Sequence, residues 1–402
     1  FAEIHGDRER RILLEIVGES PQRRVMKFGS MGREGGLGAG QRWLVSTSAP
    51  GSPPARPVTR AWARTLAVVV ASVALGTCGG GSPSSPNTPA TPSPTPPPGN
   101  LSLTATVYYD FLRNSTLDPE ETVRFGDVEL QIGGGSGTSQ AGTGQAVVQG
   151  ISVGTHQVVI ETSTLPPFFI LGTEVTVELP RDAEVLVPVA LPVRQNQPFR
   201  YLCTGDSITE GTGSSDGEGY RSLLRSRLSG FYGVPIDMKY RGRSGGSSAY
   251  GAARTQRDLD LVKPAYTLIG WGTNDYNFCG APSTCDTVAN LRSMLQMVKA
   301  ASSMPCVATI TPANAGFDGA EGRNAWIAEM NEMIRAMARE EGALVVDLHG
   351  AFMAAGNPPS FFVDHIHPSP QGYDLIARTW FDALTLPRAL TPSAAFVRVD
   401  AP

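Results

Sequence analysis

Residues 199–211 read FRYLCTGDSITEG. An apolar, β-prone run (FRYLC) gives way at Gly205 to a polar block around Asp206 and Ser207, which is how a buried strand ends at a turn. The same strand character returns in IDMKY (236–240), YTLIGW (266–271), CVATI (306–310) and ALVVD (343–347). Between these runs the apolar residues recur at helical spacing. Tyr220, Leu223, Leu224 and Leu228 share one face, as do Val288, Leu291, Leu295 and Val298, and Ile327, Met330, Ile334 and Met337. Five strands alternating with helices predict an α/β domain over residues 198–388, with a five-stranded parallel sheet covered on both faces.

In such sheets ligands bind at the carboxyl ends of the strands. The first strand runs out into Gly205-Asp206-Ser207-Ile208-Thr209-Glu210-Gly211, and the second into Arg241-Gly242-Arg243-Ser244-Gly245. The third ends in Gly272-Thr273-Asn274-Asp275. After the fifth, the loop before the last helix carries Asp364-His365-Ile366-His367-Pro368. A serine hydroxyl is a poor nucleophile until a base takes its proton. Four histidines follow the N-terminal leader: His156, His349, His365 and His367. His367 lies three residues after Asp364, a spacing that in a turn brings the carboxylate to one ring nitrogen and leaves the other open. His365 has the wrong spacing for this, and His349 reads as structural. Ser369 and Pro370 read as an N-cap and first helical residue, which would fix the loop against the final helix. An oxyanion also needs donors. The candidates are Ser207 N–H, Gly245 N–H and the Asn274 side-chain amide, while Asp206 and Asp275 read as structural hydrogen-bonding residues. Arg243 and Tyr250 fall near the expected cleft entrance.

Taken together, GDSITEG, SGG, GTND and DHIHP resemble the SGNH (GDSL-type) hydrolase and esterase family, in its order and approximate spacing over about 190 residues. The resemblance implies a flavodoxin-like three-layer α/β/α fold. It also implies a Ser207–His367–Asp364 catalytic triad and an oxyanion hole of Ser207, Gly245 and Asn274. No metal and no cofactor are implied. The family often carries Asn two residues before the first Gly of its second block, where this chain has Tyr240. GDSITEG followed by Gly219-Tyr220-Arg221 is most similar to the carbohydrate-acetylesterase side of the family.

Upstream, residues 100–195 read as all-β. The alternating runs LSLTATVYY, DVELQI, QAVVQGI, HQVVIET, TEVTVEL and AEVLVPVAL are punctuated by Gly, Pro, Asn and Asp, which predicts a small β-sandwich. Tyr109-Asp110, then Asn114, Asp118, Glu120 and Glu121, resembles Cna-B-like or prealbumin-like surface modules, in which such acids can bind calcium. The residues alone read as a solvated acidic turn.

Residues 79–99 form a Pro/Ser/Thr-rich linker of polyproline character. Residues 58–78 read as a signal peptide. Arg60 and Arg64 flank the ten-residue apolar run LAVVVASVAL, and Leu75-Gly76-Thr77-Cys78 resembles a bacterial lipobox in which Cys78 is lipidated. Ordinary cleavage with release is the alternative. Residues 1–57, rich in Arg and Gly, read as a poorly structured or non-native extension, with Met31 or Val58 as conceivable starts. Residues 389–402 read as a C-terminal tail.

Export permits disulfides, and Cys279 and Cys285 are close enough in NFCGAPSTCD to close a ring. Cys203 and Cys306 sit in strand-like runs and read as buried thiols. No Cys-x-x-Cys pair suggests structural zinc. A net charge of -4 argues against a nucleic-acid binder.

The expected function is therefore an exported serine esterase, at the cell surface, in the periplasm or secreted. Its expected partner is a small-molecule or polysaccharide ester, through short acyl groups such as acetyl on carbohydrate. A lysophospholipase or thioesterase acting on lipid is the alternative. A non-catalytic surface-binding lipoprotein is a reading of a different class. Fold alone does not choose among substrates.

Overall fold

The computed structural model describes residues 99–387 and, N-terminal to them, the backbone of three strands: β1 (Ala2–Gly6), β2 (Arg10–Gly18) and β3 (Arg24–Ser30). These three pair antiparallel in the order β1-β2-β3. The rest of residues 1–57, expected as a poorly structured or non-native extension, lies outside the described residues. The segment read as a signal peptide, Cys78, the linker up to residue 98 and the whole C-terminal tail lie outside the described residues. Among the described residues no helix is long and apolar enough to cross a membrane.

Residues 99–387 belong to one compact unit. It begins with β4 (Leu101–Tyr109), β5 (Glu129–Ile132), β6 (Gly135–Thr138), β7 (Gln145–Ile151), β8 (Gly154–Ile160), β9 (Ile170–Leu171), β10 (Thr176–Leu179) and β11 (Glu184–Ala190). They are hydrogen-bonded in one series, β10-β8-β5-β6-β7-β4-β11-β9, all antiparallel except β4 with β11. Period-2 alternation does the folding work. Leu130 and Ile132 of β5, Ala146 and Val148 of β7, and Val177 and Leu179 of β10 are buried, while their neighbours in sequence face outward. Of the acidic turn expected to be solvated, Asn114 and Glu120 are exposed and Asp118 is half-buried, but its two ends are not. Asp110 and Glu121 are both buried, and they accept backbone N–H groups from Asn114 and Ser115, and from Leu112 and Asp118, respectively. Burial raises the Glu121 pKa above the usual carboxylate range. Among the described residues no group of His, Cys, Asp and Glu is arranged to hold a metal ion.

The α/β part follows: β12 (Gln197–Gly205), α1 (Ser207–Glu210), α2 (Tyr220–Tyr232), β13 (Asp237–Gly242), α3 (Ser248–Val262), β14 (Pro264–Gly270), α4 (Thr287–Ala300), β15 (Met304–Ala308), α5 (Ala320–Glu340), β16 (Leu344–Val346), α6 (Leu348–Ala354) and α7 (Pro370–Thr385). The sheet is wholly parallel, in the order β13-β12-β14-β15-β16. This is the flavodoxin-like order, with the first strand beside both the second and the third. Alternate residues of each strand serve opposite layers. Tyr201 and Cys203 pack with α2 and α7 through Leu224, Leu228, Ile376 and Trp380. Leu202 packs with α3, α4 and α5 through Leu259, Leu295 and Met330. Leu223, expected on the buried face of α2, is 37% exposed at its margin.

The two parts share an apolar core. Phe199, at the start of β12, meets Tyr109 and Phe111 edge-on with ring centroids 5.5 and 5.2 Å apart. Tyr266, near the start of β14, meets Phe168 at 6.2 Å. Asn196 donates to the carbonyls of Ala301 and Ser302 at 2.9 and 3.0 Å. The β part therefore covers the amino ends of the parallel strands. The six residue-to-residue steps from Phe199 to Gly205 put the opposite, carboxyl end about 20 Å away.

Candidate active site

Gly205 ends β12 where no side chain fits. A β-carbon there would stand 2.1 Å from Thr209 Oγ1 and 2.6 Å from the Gly270 carbonyl oxygen. The chain then turns sharply into α1. Asp206 caps it, accepting the Ile208 N–H at 3.0 Å with Oδ1, and Ser207 is its first residue. Asp206 is buried, and burial raises its pKa to about 6 against the opposing pull of the Ile208 hydrogen bond and nearby His367.

The closing loop brings His367 to this turn. His367 Nε2 lies 2.8 Å from Ser207 Oγ, and His367 Nδ1 lies 2.6 Å from Asp364 Oδ2. Asp364 Oδ1 accepts the backbone N–H groups of Ile366 and His367 at 2.9 and 2.7 Å. Burial works to raise the Asp364 pKa. The hydrogen bonds from the His367 ring and from those two N–H groups outweigh it and hold the carboxyl below its ordinary range. An ionised Asp364 accepts from Nδ1–H, so the free electron pair of the ring is on Nε2, facing the serine.

The loop is anchored on both sides. Val363 N–H bonds the His367 carbonyl. Ser369 caps α7, accepting from Gly372 N–H, and donates to the Ser360 carbonyl. Asn314 donates its side-chain amide to the Asp364 carbonyl at 3.2 Å and its N–H to the His365 carbonyl at 2.9 Å. Tyr373 of α7 donates to the Thr212 carbonyl at 2.7 Å, tying the helix to the chain just past the Ser207 turn.

The candidate oxyanion donors come from the two neighbouring strand ends. Gly245 adopts φ +69°, a backbone shape that favours glycine, in the turn after β13. The Asn274 amide donates to the Gly246 carbonyl at 2.9 Å, which orients that side chain beside the Gly245 turn. Asp275 is structural: Oδ1 accepts the Ser248 N–H at 2.9 Å and Oδ2 the Thr287 hydroxyl at 2.6 Å. His365 is exposed, with Nδ1 3.8 Å from Asp364 Oδ1. His349 sits on α6, where burial lowers its pKa. Tyr240, in the place where Asn is common, stacks under the Arg221 guanidinium, 4.0 Å from its ring centre. Arg243 is exposed, and the Tyr250 hydroxyl accepts from Arg254 at 2.7 Å. Cys279 and Cys285 are joined as a disulfide, and Cys203 and Cys306 are buried.

Two residues not singled out from the sequence matter here. One is Asn314. The other is Glu210, the last residue of α1, whose Oε2 accepts both the N–H and the hydroxyl of Ser244 at 2.8 and 2.6 Å. Glu210 thereby joins the turn that carries Ser207 directly to the turn that carries Gly245. The polar type of each residue was visible in its loop, but nothing local in the sequence pairs them with partners 34 and 50 residues away.

Residues 203–375 match the model of the GDSL-like Lipase/Acylhydrolase family. No curated protein matches the chain. Among solved structures, TesA is 25% identical, with 46% of this chain and 97% of that one covered and a TM-score of 0.40. A variant of Axe2, an acetyl-xylooligosaccharide esterase from Geobacillus stearothermophilus, is 23% identical, with 47% and 95% covered and a TM-score of 0.41. LAE5, an alpha/beta hydrolase from the metagenome of Lake Arreo, Spain, is also 23% identical, with 47% and 96% covered and a TM-score of 0.40.

Proposed function

Residues 203–375 form a GDSL-like lipase/acylhydrolase domain, and from that premise we propose that the protein is an exported serine esterase releasing short acyl groups, such as acetyl, from carbohydrate through an acyl-enzyme on Ser207. The observation that carries the mechanism is the unbroken hydrogen-bonded series Ser207 Oγ, His367, Asp364, at 2.8 and 2.6 Å.

Each step then has an assigned group. Ser207 Oγ attacks the ester carbonyl carbon while His367 Nε2 takes the hydroxyl proton. Asp364, held ionised, stabilises the imidazolium and keeps the ring oriented. The carbonyl oxygen becomes an oxyanion facing Ser207 N–H, Gly245 N–H and the Asn274 amide. Collapse breaks the bond to the alcohol oxygen, which leaves with the proton from Nε2. Water then gives its proton to Nε2 and attacks the acyl carbon. The second tetrahedral intermediate expels Ser207 Oγ, which recovers the proton, and the carboxylic acid departs.

Export rests on the apolar run at 66–75 behind Arg60 and Arg64, and tethering on Cys78 as a lipidated N-terminus. The carbohydrate reading rests on the motif resemblance of GDSITEG and Gly219-Tyr220-Arg221. The test is Ser207→Ala against wild type, using p-nitrophenyl acetate hydrolysis and a fluorophosphonate probe. Both signals are expected to vanish in the variant. Hydrolysis at the wild-type rate by Ser207→Ala, or an unlabelled wild-type protein, would defeat the mechanism.

A further inference from the structure

Beside the oxyanion wall lies a groove of about 400 Å³ that the mechanism above does not use. It runs between the start of α3, the loop following Asn274, the Cys279–Cys285 ring and the start of α4. Ser247 is two residues from Gly245, so its Cα is within about 7 Å of that residue's, and the groove opens that close to the oxyanion donors. Its volume falls in the range of about 300–1,000 Å³ usual for small-molecule sites.

The lining combines many polar groups with one large ring. Ser247 and Thr284 present hydroxyls, Asp286 a carboxylate and Asn290 an amide, whereas Phe278 stands 74% exposed at the edge. The Asn290 amide donates to Ser248 Oγ at 2.9 Å, which fixes its orientation and leaves its carbonyl oxygen and second N–H for other partners. A long acyl chain is a poor occupant. It gains about 0.8 kcal/mol per methylene only against apolar walls, and here it would strip water from hydroxyls and a carboxylate without replacing the hydrogen bonds. A sugar ring fits both features. Its hydroxyls meet mixed donors and acceptors, and its C–H face covers an aromatic ring. The disulfide closes the six-residue separation that follows Phe278, so the ring is held in place before ligand arrives.

The geometry points to this groove as the subsite for the alcohol portion of the substrate, a sugar unit stacked on Phe278 and hydrogen-bonded by Ser247, Thr284 and Asn290. The assignment rests on the esterase reading, and the test separates the two. Wild type, Phe278→Ala, Phe278→Trp and Asn290→Ala are compared on monoacetylated cellobiose, p-nitrophenyl acetate and p-nitrophenyl octanoate. Phe278→Ala is expected to raise KM on monoacetylated cellobiose about tenfold, with kcat nearly unchanged and p-nitrophenyl acetate within about twofold of wild type. Phe278→Trp, which restores a ring, should recover most of the loss, and Asn290→Ala should act on KM in the same direction. Equal losses on all three esters, no loss on the sugar ester, or a loss confined to octanoate would each overturn the subsite. Wild type that cleaves p-nitrophenyl acetate but not monoacetylated cellobiose sinks the subsite and spares the esterase. Wild type that cleaves none of the three sinks the esterase reading itself.

Discussion

Asp364→Asn replaces one oxygen by an amide nitrogen with almost no change in volume, and the loop geometry dictates how the new side chain must sit. Oδ2 faces His367 Nδ1, and Oδ1 accepts two backbone N–H groups, from Ile366 and His367. An asparagine has a single oxygen, so one of these sides must face its NH2. Turned toward the backbone, the NH2 confronts two donors and leaves both without partners, at about 1–3 kcal/mol each and so about 2–6 kcal/mol together. Turned toward the ring, it asks only that Nδ1 become the acceptor. The second orientation wins, and it moves the ring proton to Nε2. That nitrogen is the one 2.8 Å from Ser207 Oγ, and with a proton on it the ring cannot take another from the serine. A tautomer locked the wrong way costs about 10,000-fold in the serine-protease triad, equivalent to roughly 5.5 kcal/mol at 1.36 kcal/mol per tenfold. The expected result is a fall in kcat/KM on p-nitrophenyl acetate of about 1,000- to 10,000-fold, with an unchanged circular dichroism spectrum. A correctly folded variant within tenfold of wild type would refute the reasoning.

Further outcomes follow from other contacts. The Asp206 carboxyl, raised by burial from 3.8 to about 6, keeps its proton in the folded state across that window while the unfolded chain loses it. Stability should therefore fall as pH rises from 4 to 6 and stay lower above, by on the order of 3 kcal/mol at most. Asp206→Asn keeps an oxygen for Ile208 N–H, so thermal melts should show a flatter slope over that window and a higher Tm at pH 7.5. Glu210→Ala frees the Ser244–Gly245 turn and should lower kcat about tenfold, less than the 100- to 1,000-fold loss of an oxyanion donor, with Glu210→Gln recovering most of it in steady-state assays. Phe199→Ala should destabilise the protein by about 2–4 kcal/mol and shift a single calorimetric transition, because the ring belongs to both parts. Two separated transitions in wild type would contradict the shared core.

The parallel sheet was legible because each of its strands is an apolar run flanked by helical periodicity, and hydrophobic burial follows those periods directly. Ser207, Asp364, His367, Gly245 and Asn274 could be named because each stands in a short block at a strand's carboxyl end. In the β part, β6 escaped notice because GSGT has the composition of a turn. Its strand character comes from pairing with β5, not from its own side chains. β9 is two residues long and carries no period at all. Asp110 and Glu121 read as solvated because carboxylates usually are. Their burial depends on backbone N–H groups that only the folded loop presents to them. The link between Glu210 and Ser244, and the junction of Phe199 with Tyr109, depend on tertiary proximity, to which a local pattern is blind.

The aromatic junction has a bearing on how the molecule is made. The β part leaves the ribosome before the α/β part and carries Tyr109, Phe111 and Phe168, with Tyr109 already packed on Phe125 and Phe169 and turned to meet the rings that follow. Phe199 and Tyr266 emerge next, each at the head of a nascent strand, and those rings give both a place to condense before the rest of the sheet exists. The half made first is therefore expected to template the α/β half, and the α/β half expressed without it is expected to refold in lower yield than the whole.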